Sequence, residues 1–169
     1  MHWKEIKVEK LIKLLIVDDE TRFLQAIAQR LSKRGFEVRT AENGRDAIEL
    51  AQREKFDIAL LDLKMPGLDG GEVLRVLKES HEFLEAIILT GHGSLESAVE
   101  LTKVGAFSYL PKPYELEKLV QVLKDAYQAR LEKKFKADQE KLDAIVAFSQ
   151  GESPLGILRK LKDLDDGRR

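Results

Sequence analysis

Five short apolar runs separated by amphipathic stretches predict an α/β protein, a doubly wound parallel sheet of five strands with helices on both faces. Three observations carry that reading. The runs are brief and rich in Val, Ile, Leu and Phe, as strands buried on both faces are. The stretches between them place apolar residues at helical spacing, and strand–helix alternation of this length requires short right-handed crossovers, hence parallel strands. Finally, 169 residues that are 43% hydrophobic and 35% charged suffice for one domain with a real core and a short appendage.

The elements follow in order. Leu14–Val17 is the first strand. Phe23, Leu24, Ile27, Ala28 and Leu31 give the first helix its apolar face, and Gly35 stands where a C-terminal cap belongs. Phe36–Thr40 is the second strand, Asn43-Gly44 a turn, and Ala47, Ile48 and Ala51 mark the second helix. Ile58–Leu61 is the third strand, Met65-Pro66-Gly67 a turn in which Pro presets one dihedral and Gly permits another, and Val73, Leu74 and Leu77 the third helix. Ala86–Leu89 is the fourth strand, Leu95, Ala98, Val99 and Thr102 the fourth helix, and Ala106–Leu110 the fifth strand. From Leu116 an apolar stripe runs through Val120, Leu123, Tyr127, Leu131, Phe135, Leu142 and Ile145, broken only at Asp138. Its mean step is about 3.6 residues, the α-helical period. No Gly or Pro lies between Glu115 and Gln150, so one helix of roughly 34 residues and about 50 Å is expected, a break near Lys136–Lys141 being the alternative. Ser153 and Pro154 then resemble the cap and first position of a second short helix carrying Leu155, Leu158, Leu161 and Leu164. The chain is accordingly divided into an N-terminal extension (1–9), a body (10–128) and a helical C-terminal extension (129–169), with Trp3, Ile6 and Val8 in a frayed start.

Composition excludes several classes of function. Lys plus Arg number 29 against 30 Asp plus Glu, so no bulk attraction draws this chain to nucleic acid or an anionic membrane. With no cysteine there is no disulfide, thiolate metal site or thiol nucleophile. No apolar run approaches the ~20 residues of a membrane span, and the first ten residues lack a signal-peptide core. A cytoplasmic protein is expected.

The polar residues at the strand ends carry the chemistry. Asp18 and Asp19 follow the first strand, Asp62 the third, Thr90 the fourth and Lys112 the fifth. All five therefore fall at the carboxyl edge of a parallel sheet, where ligands bind in this architecture. Three carboxylates in one crevice repel one another unless a cation neutralises them. A hard divalent ion, Mg2+ or Mn2+, suits an all-oxygen site of few protein ligands. A cation, a lysine ammonium and a threonine hydroxyl around one carboxylate are what stabilise phosphoryl transfer onto it, and Asp62 is the natural acceptor.

These residues stand in recognisable motifs: Leu14-Leu15-Ile16-Val17-Asp18-Asp19-Glu20, Leu60-Leu61-Asp62-Leu63-Lys64-Met65-Pro66-Gly67-Leu68-Asp69-Gly70, Ile88-Leu89-Thr90-Gly91-His92-Gly93 and Tyr109-Leu110-Pro111-Lys112-Pro113. Residues 10–127 resemble the receiver domain of two-component response regulators, most of all receivers of the nitrogen-regulation type. The resemblance implies a flavodoxin-like strand order, 2-1-3-4-5, and a phosphorelay module rather than an enzyme, catalysing only its own phosphorylation and dephosphorylation. It implies that Asp62 takes a phosphoryl group from a sensor histidine kinase or phosphotransfer protein. Asp19, Asp62 and the backbone carbonyl of Lys64 would bind Mg2+ (or Mn2+), with Asp18 holding its waters. Thr90 and Lys112 would contact the phosphoryl oxygens, Tyr109 would swing inward when Thr90 moves, and the Lys112-Pro113 peptide would be cis. Lys64 and His92 resemble positions that tune hydrolysis of the phosphoaspartate; His2 and His81 receive no role.

Two other readings share parts of the pattern. A Mg-dependent phosphatase with an aspartate nucleophile resembles a motif with a second Asp two residues on, where this chain has Lys64. A flavin protein of the same sheet order would need a Ser/Thr-rich phosphate loop after the first strand, where three acids would instead repel a phosphate. After Arg130 basic and acidic residues nearly balance, and about 40 residues are too few for a winged helix or an ATPase, so a DNA-binding domain is not expected. The C-terminal helices would instead fold back on the receiver or meet a second copy of the chain or an output protein; the alternative is a linker in an isolated fragment of a longer regulator.

Overall fold

A computed structural model describes residues 11–91 and 95–151, together with 153, 155, 156, 158, 159, 162 and 163. The expected extension over 1–9, and Pro154, Leu161 and Leu164 of the short terminal helix, lie outside the described residues. The order is β1 (Ile12–Val17), α1 (Thr21–Lys33), β2 (Phe36–Ala41), α2 (Gly44–Arg53), β3 (Ile58–Asp62), α3 (Gly70–Ser80), β4 (Glu85–Thr90), α4 (Leu95–Val104), β5 (Ser108–Pro111) and α5 (Leu116–Ser149). The strands form one parallel sheet in the order β2-β1-β3-β4-β5, as the resemblance implied.

Alternation along the strands splits the interior into two cores. Leu15, Val17, Ala59, Leu61, Ala86 and Ile88 face α2, α3 and α4. Leu14, Ile16, Ile58, Leu60, Ile87 and Leu89 face α1 and α5. Each fully buried Leu or Ile contributes roughly 1.5–3 kcal/mol. Because β1, β3 and β4 are covered on both sides, they read as continuous apolar runs, whereas edge strand β2 leaves Arg39 and Thr40 exposed.

Local signals act as expected at most helix ends. Arg34 and Gly35 close α1, Gly35 with φ +91°. Asn43 does more than turn the chain: its side chain caps α2 by accepting from the Asp46 N–H at 2.9 Å. Ser153 accepts from the Gly156 N–H at 3.3 Å, which is the expected cap, and Leu155, Gly156, Leu158 and Arg159 are helical.

Two elements depart from the sequence reading. Val99 and Thr102, expected on the apolar face of α4, are both exposed, Val99 at 48%. Leu101 enters the core instead, with Val104 packed against it. Strand β5 begins at Ser108, not Ala106. Gly105, at φ +107°, and Ala106 donate to the carbonyls of Thr102 and Leu101, so the chain is still closing α4 at that point.

Helix α5 is unbroken over 34 residues, the length expected. Its first turns bury Leu119, Val120, Leu123 and Ala126 on the sheet. Farther along, charge fastens it. Arg130 pairs with Asp57 at 2.9 Å, and Lys133 pairs with Glu85, which also holds Lys78 of α3 at 3.7 Å. Glu85 is 1% exposed, and a carboxylate so buried persists as a charge only with such partners. From Leu131 on the stripe faces outward: Phe135 is 71% exposed, and Leu131, Leu142 and Ile145 are exposed too.

Removal of the buried carboxylate leaves the part-buried Lys78 ammonium without its anionic partner. Glu85→Ala is expected to cost about 3 kcal/mol in urea denaturation, since breaking a buried pair leaves charge uncompensated. Lys133→Ala should cost about 1 kcal/mol or less, because Lys133 is largely solvated and Lys78 still holds Glu85.

Candidate functional site

The parallel register brings the five predicted residues to one edge. Val17 pairs with Leu61, Asp62 with Leu89 and Thr90 with Pro111, so β1, β3, β4 and β5 end at one level. Backbone bonds prolong the alignment past the strands, from Leu63 N–H to Leu89 O at 3.1 Å and from Lys112 N–H to Thr90 O at 2.7 Å. Asp19, Asp62, Lys64, Thr90 and Lys112 line one cleft of about 330 Å³ with Glu20 and Gly91.

Asp18 lies beneath it, 1% exposed, and holds two groups in place. One oxygen accepts from Lys112 Nζ at 2.8 Å and the other from the Glu20 N–H at 2.9 Å. Carboxylate oxygens of Asp18, Asp19 and Asp62 all lie within 4.8 Å of one another. Asp62 is 8% exposed, and its carboxyl is raised to about 6, first by burial, then by the charge of Asp18 and, less, of Asp19. The Lys112 ammonium and the Lys64 N–H pull it back without cancelling the rise. A group that resists ionisation beside two more acids is suited to a divalent cation, which would relieve both the burial and the repulsion. The all-oxygen donor set fits Mg2+.

Residues the sequence reading passed over also build the cleft. Asp69 caps α3, its side chain accepting from the Glu72 N–H at 2.9 Å. Gly70 follows because nothing larger fits: a Cβ there would stand 2.4 Å from the carbonyl oxygen of Asp62. An Asp-Gly pair just before an apolar-striped helix was the available signal. Phe23 and Tyr114 border the site as well, Phe23 with its ring centroid 4.3 Å from Lys112 Nζ. Nothing in their spacing marked them, since both read as ordinary apolar residues of helix and loop.

The remaining residues fall as follows. Lys64 is exposed at the rim, Tyr109 is half-buried against the α2, α3 and α4 core, and Lys112-Pro113 is cis. His92 lies outside the described residues. His81 is buried, with Nε2 3.2 Å from the Glu54 carbonyl, and burial holds it below the usual imidazole range, so it serves packing and remains without a role at the site.

A doubly wound sheet with an acidic, cation-ready cleft and a lysine at its carboxyl edge defines a class of small α/β proteins. Within that class this chain belongs to the response regulator receiver domain family, whose model matches residues 14–124. It is 37% identical over 115 residues to the transcriptional regulatory protein GlrR of Escherichia coli K12, covering 68% of this chain and 26% of that protein. It is 30% identical over 139 residues to the DNA-binding transcriptional regulator NtrC of Proteus hauseri, covering 82% and 29%. Among solved structures, a receiver domain protein of Methanospirillum hungatei superposes with a TM-score of 0.71 at 31% identity, covering 73% of this chain and 99% of that one. NtrX of Brucella abortus superposes with a TM-score of 0.72 at 30% identity, covering 78% and 30%. The chain thus spans 26% of the length of the first of these curated relatives. Among the described residues no helix is long and apolar enough to cross a membrane.

Asp62 sets a pH-dependent cost. Its carboxyl is raised in the fold from 3.8 to about 6, so the folded state binds more protons than the unfolded one between these values, and stability falls as pH rises through them. In metal-free buffer Asp62→Asn should therefore melt higher than wild type at pH 7, with the gain vanishing below about pH 4, where both forms are neutral. Added Mg2+ should raise the melting temperature of wild type more than that of the variant. Calorimetry across pH, with and without Mg2+, checks both.

Proposed function

We propose that this protein is a phosphorylation-switched signalling module in which Asp62 accepts a phosphoryl group from a histidine kinase or phosphotransfer protein. The observation that carries the reading is the convergence of three carboxylate groups within 4.8 Å, one of them bonded to Lys112 at 2.8 Å. Asp62 is the acceptor because it alone of the three projects from a strand end into the cleft beside both Thr90 and Lys112.

The residues divide the work. Asp19, Asp62 and the Lys64 carbonyl would hold the divalent ion, with Asp18 holding its waters, and the ion would supply neutralising charge to the acids and to the incoming phosphoryl oxygens. An oxygen of Asp62 attacks phosphorus, an acyl phosphate bond forms, and the bond from phosphorus to the donor nitrogen breaks, leaving its electron pair on the imidazole, which a proton then neutralises. Lys112 and the Thr90 hydroxyl meet the phosphoryl oxygens, adding one fixed positive charge and one donor to a group of about -1.5 to -2. Movement of Thr90 vacates space that Tyr109 fills, carrying the change to the face of α4, β5 and α5.

Output passes through protein contact. The exposed apolar residues of α5 from Leu131 on form a stripe, and isolated helices are marginal in water, so Leu131, Phe135, Leu142 and Ile145 need a covering surface. A second copy of the chain or an output protein supplies it. The same reading places the module in the cytoplasm, divides the chain at about 128 into receiver and helical extension, and assigns the chemistry to the module's own phosphorylation and dephosphorylation alone.

Incubation with acetyl phosphate and Mg2+ should add one phosphoryl group by mass spectrometry, absent in Asp62→Asn. Asp19→Ala should reduce both Mg2+ affinity and phosphorylation at least tenfold without lowering the melting temperature in metal-free buffer, since one of three crowded acids is gone. Modification that persists in Asp62→Asn defeats the assignment. For the extension, Phe135→Lys with Leu142→Lys should leave phosphorylation intact while abolishing self-association in light scattering, or capture of the output partner.

A further inference from the structure

The cleft has a neighbour on the other side of Lys112. Phe23, in the first turn of α1, places its ring centroid 4.3 Å from Lys112 Nζ, while Asp18 holds the same nitrogen at 2.8 Å. The ammonium therefore sits between an anion and an aromatic face, a geometry in which the ring quadrupole attracts the cation. Tyr114, one residue past the cis peptide, meets Phe23 edge to face, with centroids 6.3 Å apart and planes at 82°. That contact fixes the orientation of the Phe23 ring.

We propose that Phe23 is a positioning residue for phosphoryl transfer, holding the Lys112 ammonium at the cleft when Asp18 is engaged by the divalent ion. This rests on the proposed phosphorylation of Asp62. The two anchors respond differently to the cation. A carboxylate shares its charge with whatever cation lies nearest, so occupation of the acidic cluster weakens the hold of Asp18 on Lys112. The ring carries no net charge to be neutralised, and its hold persists. A lysine has a flexible four-carbon stem and large rotamer freedom, so with the carboxylate alone it would leave the cleft for water when the cation arrives.

Packing does not explain an aromatic residue at this position. Phe23 borders a cavity of about 520 Å³, lined also by Ala26, Ile27, Arg30, Pro113 and Tyr114, so there is open space beside the ring. Phe23 is only partly buried at the edge of the α1 and α5 core, so burial alone does not hold it there, and a larger ring has room beside it. The property that distinguishes phenylalanine here is its π face.

The test separates that face from mere volume. Phe23→Leu and Phe23→Met should both slow phosphorylation by acetyl phosphate roughly fivefold to tenfold at saturating Mg2+. Mg2+ affinity should stay within twofold of wild type, because no acid is touched. Phe23→Trp should restore the wild-type rate or exceed it. In the unphosphorylated protein, with Mg2+ present, the Lys112 Hε protons should show an upfield ring-current shift that Phe23→Leu abolishes. Wild type that takes up no phosphoryl group overturns the underlying reading, and the proposal with it. Wild type that is phosphorylated while Phe23→Leu matches its rate, or Phe23→Trp as slow as Phe23→Leu, overturns the positioning role alone. So does the absence of a ring-current shift with Mg2+ bound.

Discussion

Mutual repulsion among Asp18, Asp19 and Asp62 is the constraint around which the carboxyl edge of this protein is arranged. Three carboxylate groups within 4.8 Å of one another, two of them buried, would push the strand ends apart if nothing opposed them. Lys112 opposes them from the far strand, reaching Asp18 across the sheet at 2.8 Å, and the backbone ladder running past β3 and β5 holds the ends level. The balance is incomplete. Asp62 remains hard to ionise, with its carboxyl at about 6, so the fold stores an electrostatic cost at the place where a cation would discharge it.

The opposite end of the sheet is built on paired charge of the other kind. Glu85 begins the strand that ends in Thr90, and it joins α3 to α5 through Lys78 and Lys133, while Asp57, just before β3, holds Arg130. Burial pulls the Lys78 ammonium below its usual range, and Glu85 pulls it partly back. These contacts carry α5 as one element with the body well past the last residue that the family model matches, Lys124. The exposed stripe that follows is thus mounted on a helix whose root is fixed at both the cleft and the amino edge.

Much of this was legible in the residues, and the exceptions have particular causes. Strands β1, β3 and β4 were plain because burial on both faces leaves no alternation to confuse the pattern. The shared edge of Asp18, Asp19, Asp62, Thr90 and Lys112 was legible too, since in a parallel sheet the residues at strand carboxyl ends have only one edge to occupy. The facing side of helix α4 was not legible because Val99 and Thr102 are spaced as regularly as Leu101 and Val104, and periodicity does not say which pair finds the core. The start of β5 was obscured because Ala106 and Phe107 are apolar in either role, and the bonds closing α4 take precedence.

Spacing along the chain was enough to settle the five-stranded parallel sheet, the acids at its carboxyl edge and the helical period of α5, whose continuity past Lys136 the structure decided. Each depends on interactions between near neighbours: burial patterns of period 2 or 3.6, caps, and the absence of Gly and Pro from 34 residues. The tertiary structure decided what depends on groups far apart in sequence. Lys112 and Asp18 are 94 residues apart, Lys133 and Glu85 are 48, and Phe23 meets Lys112 from an unrelated helix. The elevated carboxyl of Asp62 belongs to the same class, because burial and the charge of neighbouring strands exist only once the sheet has closed.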